Sequence, residues 1–203
     1  VSVGRRSLPP REDTMRGTAR VLAALALLGG CHDGQIPSET TQSQLPAAAN
    51  QALGASVHQD LATLRRVTAS FHQFARAAAA GWSAPITPCM TDPDGAGGMG
   101  FHYGNVGLID GSVSVAEPEL LLYEPERNGR LRLVAVEYII PYGFHARDAA
   151  APVLFGQEFT RNDVFQLWGL HAWVWKKNPS GMFANWNPKV TCEHATATMA
   201  MTH

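Results

Sequence analysis

Glu137 is the side chain with the most chemistry to account for. In Leu131-Arg132-Leu133-Val134-Ala135-Val136-Glu137-Tyr138-Ile139, strand alternation places it on the face of Leu131, Leu133, Ala135 and Ile139, because successive side chains of a strand point to opposite sides. A carboxylate on an apolar face must be protonated, paired or bound to a metal, since an unpaired charge away from water is strongly disfavoured. Two histidines are candidate partners: His102 in Gly100-Phe101-His102-Tyr103-Gly104 and His171 in Leu170-His171-Ala172-Trp173-Val174-Trp175. Two imidazoles and a carboxylate suit zinc, copper or iron, and open coordination positions would permit catalysis. No His-x-His, His-Glu-x-x-His or Cys-x-x-Cys spacing occurs, so only the fold can bring these ligands together. The competing reading is that Glu137 hydrogen-bonds Tyr103, Tyr123 or a core histidine and merely satisfies the interior.

Other chemistries have less support. There is no Gly-x-Ser-x-Gly elbow, and Ser83, Ser112, Ser114 and Ser180 fall in loops or near turns with no neighbouring base. Glu117, Glu119, Glu124 and Glu126, with Arg127, Arg130 and Arg132 opposite, read as a solvated hairpin edge carrying exposed ion pairs. The glycines from Gly95 to Gly100 open a strand rather than a helix, so they are no phosphate loop. Gly98, Gly100 and Gly104 would let backbone or ligand come close to His102. The aromatic set Trp168, Trp173, Trp175, Phe183 and Trp186 reads as core. Trp173 and Trp175 are nonetheless expected on the face of His171, where they would wall a small polar site.

The elements that must position these groups follow from periodicity. Leu53, Val57, Leu61, Leu64, Val67, Phe71, Phe74 and Ala78 recur at steps of three and four, which predicts an amphipathic helix from Gln51 to Ala80. Gly54 is a possible early interruption and Gly81 a stop before Pro85 and Pro88. Asp92 to Gly98 is a turn-rich loop. Strands are predicted over Met99–Tyr103, Glu119–Glu124, Arg130–Ile140 and Leu167–Lys176. Asn128-Gly129 marks a hairpin with a type I′ turn, which would set Leu122 opposite Ala135 and Leu120 opposite Glu137. The Asn-, Pro- and Gly-rich stretch from Asn178 to Pro188 is expected to be a loop ordered by packing. The resulting class is α+β: an N-terminal amphipathic helix on a curved antiparallel sheet, a roll or partly closed barrel.

The chain begins with a different kind of signal. From Met15, Arg16 and Arg20 precede the apolar run Val21 to Leu28, then Gly29, Gly30 and Cys31. A short apolar run behind a positive flank reads as an export signal, too short to span a bilayer. Leu28-Gly29-Gly30-Cys31 resembles the lipobox of bacterial lipoproteins, and this resemblance implies cleavage before Cys31 and lipidation of its thiol. Residues 1–30 would then be lost, with Met15 as the expected start. Residues 31–50 would form the lipidated cysteine and a flexible tether, and residues 51–203 one α+β domain.

Losing Arg5, Arg6, Arg11, Arg16, Arg20, Glu12 and Asp13 reduces 16 basic and 17 acidic residues to 11 and 15, a net charge of −4. No basic stripe remains for a phosphate backbone, so nucleic acid is not an expected partner. With Cys31 acylated, Cys89 and Cys192 are left as a pair, which in an oxidising compartment is most simply a disulfide. Closing a loop of that length is worth roughly 4 to 5 kcal/mol in the chain-entropy treatment.

The body resembles exported bacterial proteins of unknown function that combine four segments, here Met99 to Tyr103, Pro118 to Pro125, Val136 to Tyr138 and Leu170 to Phe183. That resemblance implies an envelope protein and no mechanism. The expectation is a lipid-anchored protein at the periplasmic face or outer membrane that binds a small ligand or metal ion between the sheet and the Trp-rich loop. The alternatives are a metal-dependent enzyme using His102, Glu137 and His171, and a structural or assembly lipoprotein without such a site.

Overall fold

The computed structural model describes residues 47–196, with side chains from residue 51. Cys31, the expected export signal and most of the expected tether lie outside the described residues. Among the described residues no helix is long and apolar enough to cross a membrane.

Helix α1 (Ala47–Thr68) already runs through the last residues assigned to the tether, and Gly54 does not interrupt it. It buries Leu61 and Leu64 but leaves Leu53 half exposed. The predicted single helix is in fact two. Thr68 ends the first, its hydroxyl donating back to the Leu64 carbonyl at 2.8 Å. A 3-10 turn (Ala69–His72) follows, Gln73 is extended, and α2 (Phe74–Ala79) resumes. The break serves packing, since the freed Phe71 carbonyl accepts from the buried Tyr123 hydroxyl at 2.7 Å.

Eight strands follow: β1 (Ala84–Thr91), β2 (Gly98–Gly104), β3 (Leu120–Pro125), β4 (Leu131–Pro141), β5 (Val153–Leu154), β6 (Gln157–Glu158), β7 (Thr160–Asn162) and β8 (Leu167–Ala172). Six form one antiparallel sheet in the order β1-β2-β3-β4-β8-β7, curled into half a barrel, while β5 and β6 pair separately. The α+β class is therefore the observed one. Strand β1 was not predicted because Pro85 and Pro88 interrupt its pattern. An edge strand tolerates proline where the missing donor faces away from the sheet.

The β3–β4 hairpin corrects the expected turn. Glu126 N–H donates to Arg130 O and Gly129 N–H to Glu126 O, giving a three-residue connection in which only Gly129 has positive φ, 78°. This is a type I turn closed by a glycine bulge, not a type I′ turn. It pairs Pro125 with Leu131 and Tyr123 with Leu133, one residue away from the expected register. A bulge at Val134 then restores the slip, so Leu122 does face Ala135 and Leu120 does face Glu137. The bulge also separates residues assigned to one face. Leu133 joins the helix-side core with Leu121, Tyr123 and Tyr138, and Leu131 packs against that core, while Ala135 and Ile139 stay on the opposite side with Leu120 and Leu122. Without the extra residue, pairing would turn Glu137 toward the helices.

The last predicted strand stops early, at Ala172. Trp173 N–H donates to Met182 O, and both Trp175 and Lys176 donate to Val134 O, turning the chain across the bulge. The loop after it is held by amide side chains. Asn178 donates to Trp186 O at 2.9 Å, and the fully buried Asn187 bridges to Gly98 through both backbone groups. The sulfurs of Cys89 and Cys192 form a disulfide across a Cα separation of 5.8 Å, joining β1 to the chain beyond this loop.

Candidate metal centre

Three strands deliver the three proposed ligands to the face away from the helices. Glu137 of β4 is paired directly with His171 of β8, and His102 of β2 is paired with Leu122 of β3. His102 and Glu137 therefore reach toward each other across the width of β3, where strands are spaced about 4.8 Å apart. His102 Nε2 lies 3.4 Å from Glu137 Oε2, and His171 Nε2 lies 3.8 Å from Glu137 Oε1. One ligand atom from each of the three lies within 4.8 Å of the others. All three side chains are buried, with relative exposures of 3, 8 and 4 % for His102, Glu137 and His171.

These contacts resemble ion pairs in distance but not in charge. Burial pushes the Glu137 carboxyl up to about 8, with a smaller contribution from the charge of Glu119. Burial pushes His102 down to about 4, opposed by its hydrogen bond to the Gly100 carbonyl. Burial, and secondarily His102, pushes His171 down to about 3. Burial thus favours the neutral form of all three groups. A divalent cation reverses the cost of ionising the carboxyl and needs the imidazoles neutral.

Hydrogen bonding prepares the imidazoles unequally. His102 Nδ1 sits 2.7 Å from Thr87 Oγ1 of β1, with Nε2 turned toward Glu137. His171 has no hydrogen-bond partner for Nδ1 or Nε2 among the described residues. An orphaned buried polar group costs about 1–3 kcal/mol, and a metal ion at Nε2 would remove half of that orphaning. Room for the carboxylate depends on Gly169, where a Cβ would lie 2.8 Å from Glu137 Oε1.

A cavity of about 330 Å³ adjoins the three ligands. Its wall includes Ile86, Met90, Met99, Ile139, Phe165 and Trp186. The cavity is lined by sheet residues and by Asn185 and Trp186 of the loop, but its walls differ from those expected. Trp173 stacks on His171 with centroids 6.2 Å apart and planes at 11°. Trp175 does not share that face, because the chain turns after Ala172; its indole donates to Thr68 Oγ1 on the helix side. Trp186 takes the place in the wall. Glycines near His102 admit backbone rather than ligand, since Gly98 meets Val190 O and Gly100 meets Tyr123 O.

Two members of the carboxylate cluster also differ from expectation. Glu119 and Glu124 are buried rather than solvated. Glu124 accepts from Lys176 Nζ at 2.7 Å and from Thr191 N at 3.1 Å, tying β3 to the C-terminal segment. Glu119 Oε2 accepts from Ile139 N at 3.2 Å with no cation beside it, and burial pushes its carboxyl up to about 8. Tyr103 and Tyr123 lie in the helix-side core, so neither serves Glu137. Thr87 and Gly169 escaped sequence reasoning. The signal for Thr87 was masked by the prolines of its strand, and that for Gly169 exists only once the β4–β8 register is known.

No family model matches this chain, and no match to a curated protein or a solved structure was found.

Proposed function

We propose that the chain is a lipid-anchored protein of the bacterial cell envelope that holds one divalent transition-metal ion on His102, Glu137 and His171. The observation carrying the metal reading is the convergence of three buried ligand atoms within 4.8 Å around a His171 ring that has no hydrogen-bond partner. An imidazole–imidazole–carboxylate set suits zinc, copper or iron. Elemental analysis of untagged protein, followed by titration with zinc, should give one ion per chain. Absence of zinc, copper and iron, together with no zinc uptake, would return the site to a satisfied interior and favour the structural lipoprotein.

The envelope reading rests on Leu28-Gly29-Gly30-Cys31 and is supported by the Cys89–Cys192 disulfide, which suits an oxidising compartment. Replacing Cys31→Ser should move the protein from the membrane to the soluble fraction and abolish an N-terminal lipid mass. Equal fractionation of both forms would sink the anchor. A metal-dependent enzyme is the second reading. It is favoured by one feature, a cavity beside a ligand set that leaves coordination positions open.

A further inference from the structure

The cavity is graded from end to end. At its inner end are His102, Glu137 and His171, all below a tenth exposed, whereas Val164, Phe165 and Ile86 at its outer end are 86, 47 and 40 % exposed. Exposed apolar side chains around a concave opening are lips rather than core, because none of the described residues covers them.

Some of the polar groups of the wall are engaged elsewhere. Arg161 is its only basic side chain apart from the histidines, and its guanidinium carbon lies 5.2 Å over the Trp168 ring, which belongs to the helix-side core. Asn162 Oδ1 accepts from the backbone of Val164 and Phe165, and Thr87 is engaged with His102. Among the described residues a ligand entering this space therefore meets no lysine and one arginine, held over an indole. At the inner end its polar atoms have the ion as partner, and along the wall the uncharged side chains of Thr160 and Asn185. The rest of its surface lies against Ile86, Met99, Ile139, Phe165 and Trp186.

We infer that the site takes a small ligand with an apolar, ring-sized body and a single metal-ligating oxygen or nitrogen head, the head completing the ion's coordination and the body filling the cavity toward Phe165. This inference rests on the metal reading proposed above. Size agrees, since about 150 Å³ of apolar cavity holds a benzene ring, and about 330 Å³ holds a ring with a short head group. Sugar-like ligands are disfavoured by the same wall, because its mainly apolar lining replaces little of the water that their many polar atoms would lose.

The test uses two hydroxamic acids that share a zinc-binding head. Zinc uptake is first measured by calorimetry on the full mature protein, and benzohydroxamic and acetohydroxamic acid are then titrated into the zinc-loaded and metal-free forms. The expected result is benzohydroxamate binding at least about tenfold tighter than acetohydroxamate, from burial of the ring, with neither binding the metal-free form. The exposed-lip variant Phe165→Ser should reduce that preference to about threefold or less while zinc affinity is unchanged. Zinc uptake with equal affinity for the two acids overturns the ligand inference and leaves the metal reading intact. Benzohydroxamate binding equally well without zinc also overturns it, since the head would not be meeting the ion. Failure of zinc to bind overturns both.

Discussion

The two faces of the sheet solve the burial of polar groups in opposite ways. On the helix side, Tyr123 and Tyr138 are fully buried, yet each hydroxyl donates to a backbone carbonyl, Phe71 O at 2.7 Å and Val115 O at 2.9 Å. On the other side, His171 is also buried but has both nitrogens unmatched among the described residues, and the Glu137 carboxyl lies 3.4 Å from His102 Nε2 and 3.8 Å from His171 Nε2. The first face is finished by the chain itself. The second leaves one imidazole unmatched among the described residues, and this contrast is what distinguishes the candidate site from the structural polar groups.

The contrast can be broken most forcefully from the helix side. Leu121→Ala, at a fully buried position in that core, should cost about 2–5 kcal/mol in denaturant unfolding with zinc affinity of the folded protein unchanged. A parallel fall in zinc affinity would mean that the faces are not independent. The converse variant is His171→Ala. It should weaken zinc binding by about a hundredfold or more, while the metal-free protein changes in stability by less than about 1 kcal/mol, because the cavity created is offset by removal of an orphaned ring. A large loss of metal-free stability with little change in zinc affinity would make His171 a core residue.

The pH profile gives a third test. The Glu119 carboxyl is raised from 4.5 to about 8. Below pH 4.5 both folded and unfolded chains hold its proton; between 4.5 and 8 only the folded chain does, so stability falls as pH rises through that window. A shift of that size corresponds to at most about 5 kcal/mol; Glu137, raised to about 8 as well, adds to the fall in the metal-free protein, and Glu119→Gln should reduce the slope in denaturant titration while keeping an acceptor for Ile139 N–H. An unchanged slope would assign the loss to other groups. The smallest effect is expected for Thr87→Val, which removes the hydroxyl at His102 Nδ1 while the Gly100 carbonyl remains. Zinc affinity should drop about tenfold with little change in melting temperature. No drop would leave tautomer control to Gly100 alone.

Much of the site was legible because its cause is local. Glu137 stands out in an apolar strand, and His102 and His171 are each central in a strand-like run, so residue type and alternation are enough to nominate them. The pairing of Leu120 with Glu137 came out as expected for a reason the sequence did not reveal: a three-residue turn and a bulge at Val134 each shift the register by one and cancel. Glu119 and Glu124 were misread because alternation along a hairpin does not include what later segments cover. Lys176 and Thr191 reach Glu124 from more than fifty residues away.

By itself the sequence determined the α+β class, the cysteine pair, the lipobox-like start and the three ligand candidates, all of which depend on composition and short-range periodicity. Only the tertiary structure decided which face Glu137 occupies, that Gly169 makes room for it while Thr87 holds His102, and that Trp186 rather than Trp175 walls the cavity. Those outcomes turn on register and on chain reversals. A one-residue slip in a strand exchanges its two faces, and no local pattern records where a distant segment will close over them.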